Sequence, residues 1–288
     1  MKYQFIHDHR EQFALKRLCR VLHVSRGGYY SWLTSKPGKW KQENVELVTE
    51  IRIIHEQSRQ TYGSPRITRE LHKRGYWCSR ARVARLMTKN GIYAKTKRKF
   101  KVTTDSKHKY PVSPDLVKQD FGVDAPNKIW VSDISYIPTM VGWLYLTVIL
   151  DLFNRQVVGW SISNRLTAIT TTIPALIHAF QRQRPCVGLI YHSDRGVQYA
   201  CHEFRNQLAE YKMIQSMSGK GNCYDNAVAE SFFHTLKTEL VYFEKYETKE
   251  QAKQSIFEYI EVFYNRQRLH SALGYQTPVE FAELKKVA

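Results

Sequence analysis

Ile190-Tyr191-His192-Ser193-Asp194-Arg195-Gly196 is a short apolar run stopped by an acidic residue and then a glycine. That order reads as a strand delivering the carboxylate of Asp194 at its C-terminal end. Downstream, Gly221-Asn222-Cys223-Tyr224-Asp225-Asn226 is turn chemistry feeding a helical pattern over residues 227–240. In that pattern Val228, Phe232, Phe233 and Leu236 form an apolar face. Glu230 falls in the first turns, and Lys237, seven residues on, falls on nearly the same side. Asp225 and Asn226, at the helix entry, read as caps.

A third carboxylate lies upstream. Residues 128–137 (Lys-Ile-Trp-Val-Ser-Asp-Ile-Ser-Tyr-Ile) alternate like a strand, with Trp130 and Ile134 on one face and Val131 and Asp133 on the other. Three acidic side chains converging on one point repel one another unless cations neutralise them. Hard divalent ions with oxygen ligands, Mg²⁺ or Mn²⁺, suit that need. A pair of such ions roughly 3.5–4 Å apart activates an attacking oxygen and stabilises a leaving one in phosphoryl transfer. Asp133, Asp194 and Glu230 are therefore the expected catalytic and metal-ligating residues, with two ions. Taken singly, each has an ordinary structural explanation as a cap or a solvated helix residue.

The motifs Trp-Val-Ser-Asp-Ile-Ser-Tyr-Ile around Asp133, His-Ser-Asp-Arg-Gly-Val-Gln-Tyr around Asp194 and Asp-Asn-Ala-Val-Ala-Glu-Ser-Phe-Phe around Glu230 resemble the triad of retroviral-integrase-like DDE transposases. Thirty-five residues lie between Asp194 and Glu230, a spacing typical of that superfamily. In particular the chain is similar, over nearly its whole length, to the OrfB proteins of IS-three-type bacterial insertion sequences. The resemblance implies a strand-transfer enzyme that cleaves insertion-sequence ends with water and then joins the freed 3′-hydroxyl to DNA. It implies no covalent protein–DNA intermediate, and a phosphate-holding role for Lys237. His192 and Gln198, flanking Asp194, are expected to orient its carboxylate or the substrate, and Asn226 to approach DNA or metal-bound water. The competing readings are a DNA-binding regulator with an inert core and a ribonuclease-H-like nuclease that only cuts.

Charge supports a nucleic-acid partner. The chain has 288 residues, 43% hydrophobic, with 44 Lys+Arg against 26 Asp+Glu, a net +18. Residues 1–110 hold 26 of the basic and 8 of the acidic residues, so the whole excess lies there and the remainder balances. Such a distribution joins a polyanion-gripping module to a neutral one. No stretch pairs these charges with a broad apolar face, which argues against a membrane surface. The five cysteines form no Cys-x-x-Cys pair, no leader pattern opens the chain, and the most apolar run, residues 143–150, is far too short to span a bilayer. A cytoplasmic protein is expected.

The organisation reads as five pieces. Residues 1–36 form a small helical, helix-turn-helix-like module with a stripe of Phe13, Leu15, Leu18, Val21 and Leu22 and a cap at Ser25. Its His7, His9, Cys19 and His23 do not follow the order of a His-His-Cys-Cys zinc site, so zinc is not expected. Residues 42–94 form a basic helix-turn-helix-like domain. In it Ser64 is the expected cap before Pro65, Ser79 caps the last helix, and Arg82, Arg85 and Lys89 lie near one outward face. Residues 95–124 are a basic, proline-bearing linker, where Lys97, Arg98 and Lys99 are expected to track DNA phosphates. Residues 125–245 are the catalytic core. Strands are expected at 128–137, 143–150, 156–162, 187–191 and 214–217, with helices at 168–183 and 202–211. That order is the one a ribonuclease-H-like integrase core has, so the fold class is α/β preceded by all-α helix-turn-helix DNA-binding modules. Asp151, at a strand end, is expected to stabilise its own turn. Residues 246–288 form a helical tail packed on the core, in which Arg266, Arg268 and His270 either touch DNA or finish the fold.

The expected partners are double-stranded DNA, as element ends and target, and further copies of the chain. The resemblance implies an OrfA fusion partner that supplies a further helix-turn-helix and a leucine zipper, and no sustained heptad repeat is found in this chain. Weak activity without that partner is the corresponding expectation.

Overall fold

The computed structural model describes residues 1–34, 39–95, 110–219 and 223–287. Three short helices come first: α1 (Lys2–Asp8), α2 (Leu15–Val21) and α3 (Arg26–Thr34). They close around Ile6, Leu18, Cys19 and Tyr29. Phe13 and Val21, expected in the apolar stripe, are instead 50% and 67% exposed. The buried face follows Leu18 and Cys19 because α2 must meet both of its neighbours within seven residues. Ser25 Oγ accepts from Gly28 N at 2.9 Å, the expected cap.

A second helical unit follows: α4 (Lys39–Gln57), α5 (Ser64–Lys73) and α6 (Arg80–Lys89). Leu47, Ile51 and Ile54 from α4, Ile67 and Leu71 from α5, and Val83 and Met87 from α6 are buried together. Gly63, not Ser64, occupies the cap of α5, which moves Ser64 into the first turn. Ser79 does cap α6, its Oγ taking Arg82 N at 3.2 Å. This unit does not stand apart from the rest, for its core is continuous with that of the sheet.

The sheet has five strands in the order β3-β2-β1-β4-β5: β1 (Ile129–Thr139), β2 (Gly142–Asp151), β3 (Val157–Ser163), β4 (Ile190–Ser193) and β5 (Ile214–Met217). The first three form the antiparallel meander, while β4 and β5 run parallel to β1. Strand β4 starts later than the sequence pattern implies. Gly188 takes a left-handed φ of 88° and Val187 is exposed, so the chain turns there before entering the sheet. The helix expected from residue 168 is a short tight turn, Ala168–Thr170, and then α7 (Thr172–Gln183). Between them Thr171 leaves helical geometry at φ −122°, ψ −77°. Then come α8 (Val197–Ala200), which the sequence pattern does not reveal, and α9 (His202–Glu210).

Alternation along β1 assigns its two faces. Val131 and Ile137 join the apolar layer under α10 (Ala227–Leu236) and α11 (Lys249–Glu258), and Trp130 joins the layer under α7 and α9. Helix α7 lies so close on β3 that a Cβ at Gly159 would come within 2.6 Å of Ala175 O. Only a glycine facing small helix residues allows that approach. The helix begun at Ala227 widens at Lys237–Val241, and α11 does the same at Tyr259–Tyr264. After α12 (Pro278–Val287) the described chain ends. Among the described residues no helix is long and apolar enough to cross a membrane.

Candidate functional site

Strands β1 and β4 run parallel with Ser132 opposite Ser193, so Asp133 and Asp194 follow side by side where β4 ends. Adjacent strands lie about 4.8 Å apart. Asp133 Oδ1 accepts from Ile134 N at 2.8 Å, and Asp194 Oδ1 accepts from Gly196 N at 2.9 Å. A Cβ at Gly196 would sit 3.0 Å from that same Oδ1, so the turn that presents Asp194 leaves little room for a side chain there. Beneath them, Ser132 Oγ is buried and held by Val148 O at 2.8 Å and by the hydroxyl of Tyr199 at 2.9 Å.

Helix α10 brings the third carboxylate. Asn226 at its entry was expected to cap it, but its side chain makes no such bond. Its Nδ2 donates instead to Ser132 O at 3.0 Å, fastening the start of α10 to the residue before Asp133. Glu230, one turn further, therefore stands on the side of the helix that faces the two aspartates. Asp225 also departs from the capping role: Oδ1 takes Gln119 Nε2 at 2.9 Å and Oδ2 takes Gly219 N at 2.7 Å.

Electrostatically these groups influence one another. The Asp133 carboxyl is pushed well above the usual carboxylate range, first by burial, then by Asp194 and more weakly by Glu230, with Lys237 opposing. Glu230 is raised by burial and by Asp194. Lys237 is half-buried and lowered by desolvation, with Asp133 pulling the other way. Three oxygen donors with one ammonium among them are the ligand chemistry of a hard divalent cation, not of zinc or copper. Among the described residues, no three His, Cys, Asp or Glu side chains are drawn together closely enough to hold an ion as they stand.

The flanking residues are placed differently from expectation. His192 is fully buried and faces β5, its two ring nitrogens engaged by Ser216 (2.9 Å) and Ser218 (3.2 Å). Burial holds its ring below the ordinary imidazole range, and its role is to lock β4 to β5 instead of orienting Asp194. Gln198 Nε2 reaches Leu166 O at 3.4 Å, while its Oε1 lies near Gly196. Asp151 behaves as expected, accepting from Asn127 N (2.7 Å) and Phe153 N (2.9 Å), and burial raises its pKa to about 6.

The basic residues divide sharply. Arg82 is folded back onto α4, bonding Asn44 (2.9 Å) and Glu43 (3.2 Å) with its guanidinium over Trp40. That corrects its assignment to the outward face. Arg85 and Lys89 are exposed on α6. So are Arg80 and Trp77, the latter 83% exposed, which the sequence reading passed over. Lys97, Arg98 and Lys99 lie outside the described residues. Arg266 is exposed, but Arg268 is buried in a two-bonded pair with Glu239 at 2.8 and 2.7 Å, and His270 is largely buried. Those two finish the fold. Glu239, the partner of Arg268, also takes the hydroxyl of Tyr259 at 2.8 Å and carries no signal in the sequence.

Comparison with known proteins agrees with this architecture. The HTH-like domain family matches residues 40–100, and Integrase core domain families match residues 123–223 and 230–285. The molecule is thus an integrase-core protein with a ribonuclease-H-like sheet preceded by an HTH-like domain. Among curated relatives, the 31 kDa protein of insertion element IS600 from Shigella sonnei is 44% identical over 92% of this chain and 97% of its own. Transposase InsF for insertion sequence IS3A from Escherichia coli K12 is 40% identical over 98% of both chains. The chain belongs to the family of IS3-type insertion-sequence transposases. Among solved structures it is similar to the simian T-cell lymphotropic virus intasome in complex with PP2A regulatory subunit B56 gamma (16% identity, 75% of this chain and 70% of that one, TM-score 0.46). It is also similar to the catalytic domain of Mos1 mariner transposase (15% identity, 47% and 71%, TM-score 0.41).

Proposed function

We propose that this transposase is a DDE strand-transfer enzyme in which Asp133, Asp194 and Glu230 are the catalytic carboxylates. The observation that carries the reading is the electrostatic coupling of Asp133, in the middle of β1, with Asp194 just past the end of β4 and Glu230 in the first turn of α10, with Lys237 beside Asp133. Burying like charges side by side is costly, and a fold keeps such an arrangement where the charges have work to do. The three would hold two Mg²⁺ or Mn²⁺ ions, whose charge would activate an attacking oxygen and stabilise a leaving one.

The chain's own residues bind and orient DNA. Lys237 holds a phosphate oxygen at the carboxylates, since an ammonium next to Asp133 is already half-desolvated and gains from an anion. In the first reaction a water oxygen bonds to phosphorus at the element end and the P–O3′ bond breaks, leaving a 3′-hydroxyl. In the second that hydroxyl bonds to phosphorus in another DNA strand, displaces its 3′-oxygen and gives up its proton. No side chain forms a bond to phosphorus in either step. Arg80, Arg85 and Lys89 on α6 and Arg266 in the tail grip duplex phosphates, and Asn226 lies close to the reacting strand. The working unit is an assembly of copies on two element ends, with an OrfA fusion adding further contacts.

An oligonucleotide duplex carrying an element end tests this. With Mg²⁺ the protein should cut it and join the 3′ end to a second duplex, whereas Asp194→Asn should bind DNA and do neither. Joining by that variant at near wild-type rate would overturn the assignment. Cutting without joining would identify a nuclease, and binding without reaction a regulator.

A further inference from the structure

Residues 113–119, between the helical unit and the sheet, run along the outer edge of β5. Ser113 Oγ bonds Gln215 Oε1 at 2.9 Å, Leu116 N bonds Ser216 Oγ at 2.9 Å, and Val117 is buried in the core. Asp115 Oδ1 takes the backbone N–H groups of Val117 (2.9 Å) and Lys118 (3.0 Å), turning the chain back. The next two residues are held in the left-handed region, Lys118 at φ 49° and Gln119 at φ 61°. Two consecutive non-glycine residues there are uncommon and are kept only where the surroundings over-determine them. What that conformation achieves is contact: Gln119 Nε2 reaches the buried carboxylate of Asp225 at 2.9 Å. Asp225 also holds Gly219, past the end of β5, and stands immediately before Asn226, which is fastened to Ser132.

We propose that Gln119 and Asp225 are positioning residues for Glu230, so that the strap leading from the DNA-binding unit sets where the third carboxylate stands. The inference rests on the reading of Glu230 as a catalytic ligand. Asn226 fixes the helix entry to β1 from one side, and the Gln119–Asp225 bond fixes it from the other. Between them they leave α10 one way to project Glu230 toward Asp133 and Asp194. Groups bonded directly to metal ligands typically change metal affinity or activity by 10–100-fold when removed, and Gln119 and Asp225, acting one step further back through the helix entry, belong at the lower end of that range.

The informative variant is Gln119→Gly, because glycine suits φ 61° and removes only the side-chain bond. Full-length protein is compared by Mn²⁺-induced thermal shift, by amide hydrogen exchange over residues 227–231, and by the Mg²⁺ dependence of cleavage. Gln119→Gly should melt at or above the wild-type temperature in chelator, need about tenfold more metal, and exchange selectively faster at 227–231. Gln119→Glu should do the same through repulsion of Asp225, and Asp225→Asn by replacing an accepting carboxylate oxygen with an amide group that cannot accept. Asp133→Asn, the control, should lose the Mn²⁺ response yet keep 227–231 protected. Wild-type protection at 227–231 together with a wild-type Mn²⁺ midpoint in Gln119→Gly would overturn the proposal, as would faster exchange spread evenly over the sheet. A wild-type protein that ignores Mn²⁺ would instead sink the catalytic reading. Exchange alone then decides the strap: selective deprotection sustains it, and none ends it.

Discussion

Replacing Asp133 by Asn should make the metal-free protein more stable while removing its activity. The register that puts Ser132 opposite Ser193 sets residues 133 and 194 on neighbouring strands. Two carboxylates about 5 Å apart at an effective dielectric near 20 repel by about 3 kcal/mol. Lys237 returns part of that, so a net gain of about 2 kcal/mol is expected from deleting one charge. Asparagine retains the oxygen that accepts from Ile134 N, so no new orphan group is created. The pH dependence has a definite sign. The folded pKa of Asp133 lies above its unfolded value, so the native state binds the extra proton and the wild type loses stability as pH rises through the folded pKa. The advantage of the variant should be full above the folded pKa of Asp133 and shrink as pH falls through it toward the ordinary carboxylate range. Urea unfolding in EDTA, read by the fluorescence of buried Trp130, measures it, and saturating Mn²⁺ should reverse the order by stabilising only the wild type. A variant no more stable than wild type anywhere above that pKa in chelator would show that the carboxylates do not strain the fold.

Three other outcomes are expected. Glu239→Gln strips the charge partner from buried Arg268 and should cost about 3–5 kcal/mol in urea unfolding. Pairing Arg268→Met with Glu239→Leu should recover much of that loss, and a single-variant cost below about 1 kcal/mol would contradict the burial argument. His270 is lowered to about 3 by burial and by Arg268, Arg66 and Arg155, so its neutral form stabilises the fold above the unfolded pKa near 6.5. As pH falls below that value, wild type should lose about 1.4 kcal/mol per unit relative to His270→Asn, and parallel pH profiles would refute it. Finally, Arg85→Ala with Lys89→Ala should reduce the salt slope of duplex binding by about 2, whereas Arg82→Ala should lower the melting temperature and leave that slope unchanged. Equal slopes for both would mean that α6 does not face DNA.

Much of the fold is legible in the sequence, because its signals are local. An apolar run that ends in an aspartate, the alternation around Asp133 and the caps at Ser25 and Ser79 each need only a few neighbouring residues. The succession of three antiparallel strands and then alternating helices and strands follows from the same short periods. What could not be read was the choice of partner for each polar side chain. Arg82 looks outward on a helical wheel, yet Glu43, Asn44 and Trp40 of another helix claim it. His192 sits two residues from Asp194 but belongs to the serines of β5, and Glu239 meets Arg268 across 29 residues of chain. The bond from Gln119 to Asp225 spans 106 residues and requires a left-handed backbone that no pattern announces. Backbone periodicity is set by sterics within one turn or one pleat, so the sequence by itself determined most of the elements and where along them the candidate carboxylates fall. Hydrogen-bond partners are set by which elements pack together and in what register, and only the tertiary structure decided those.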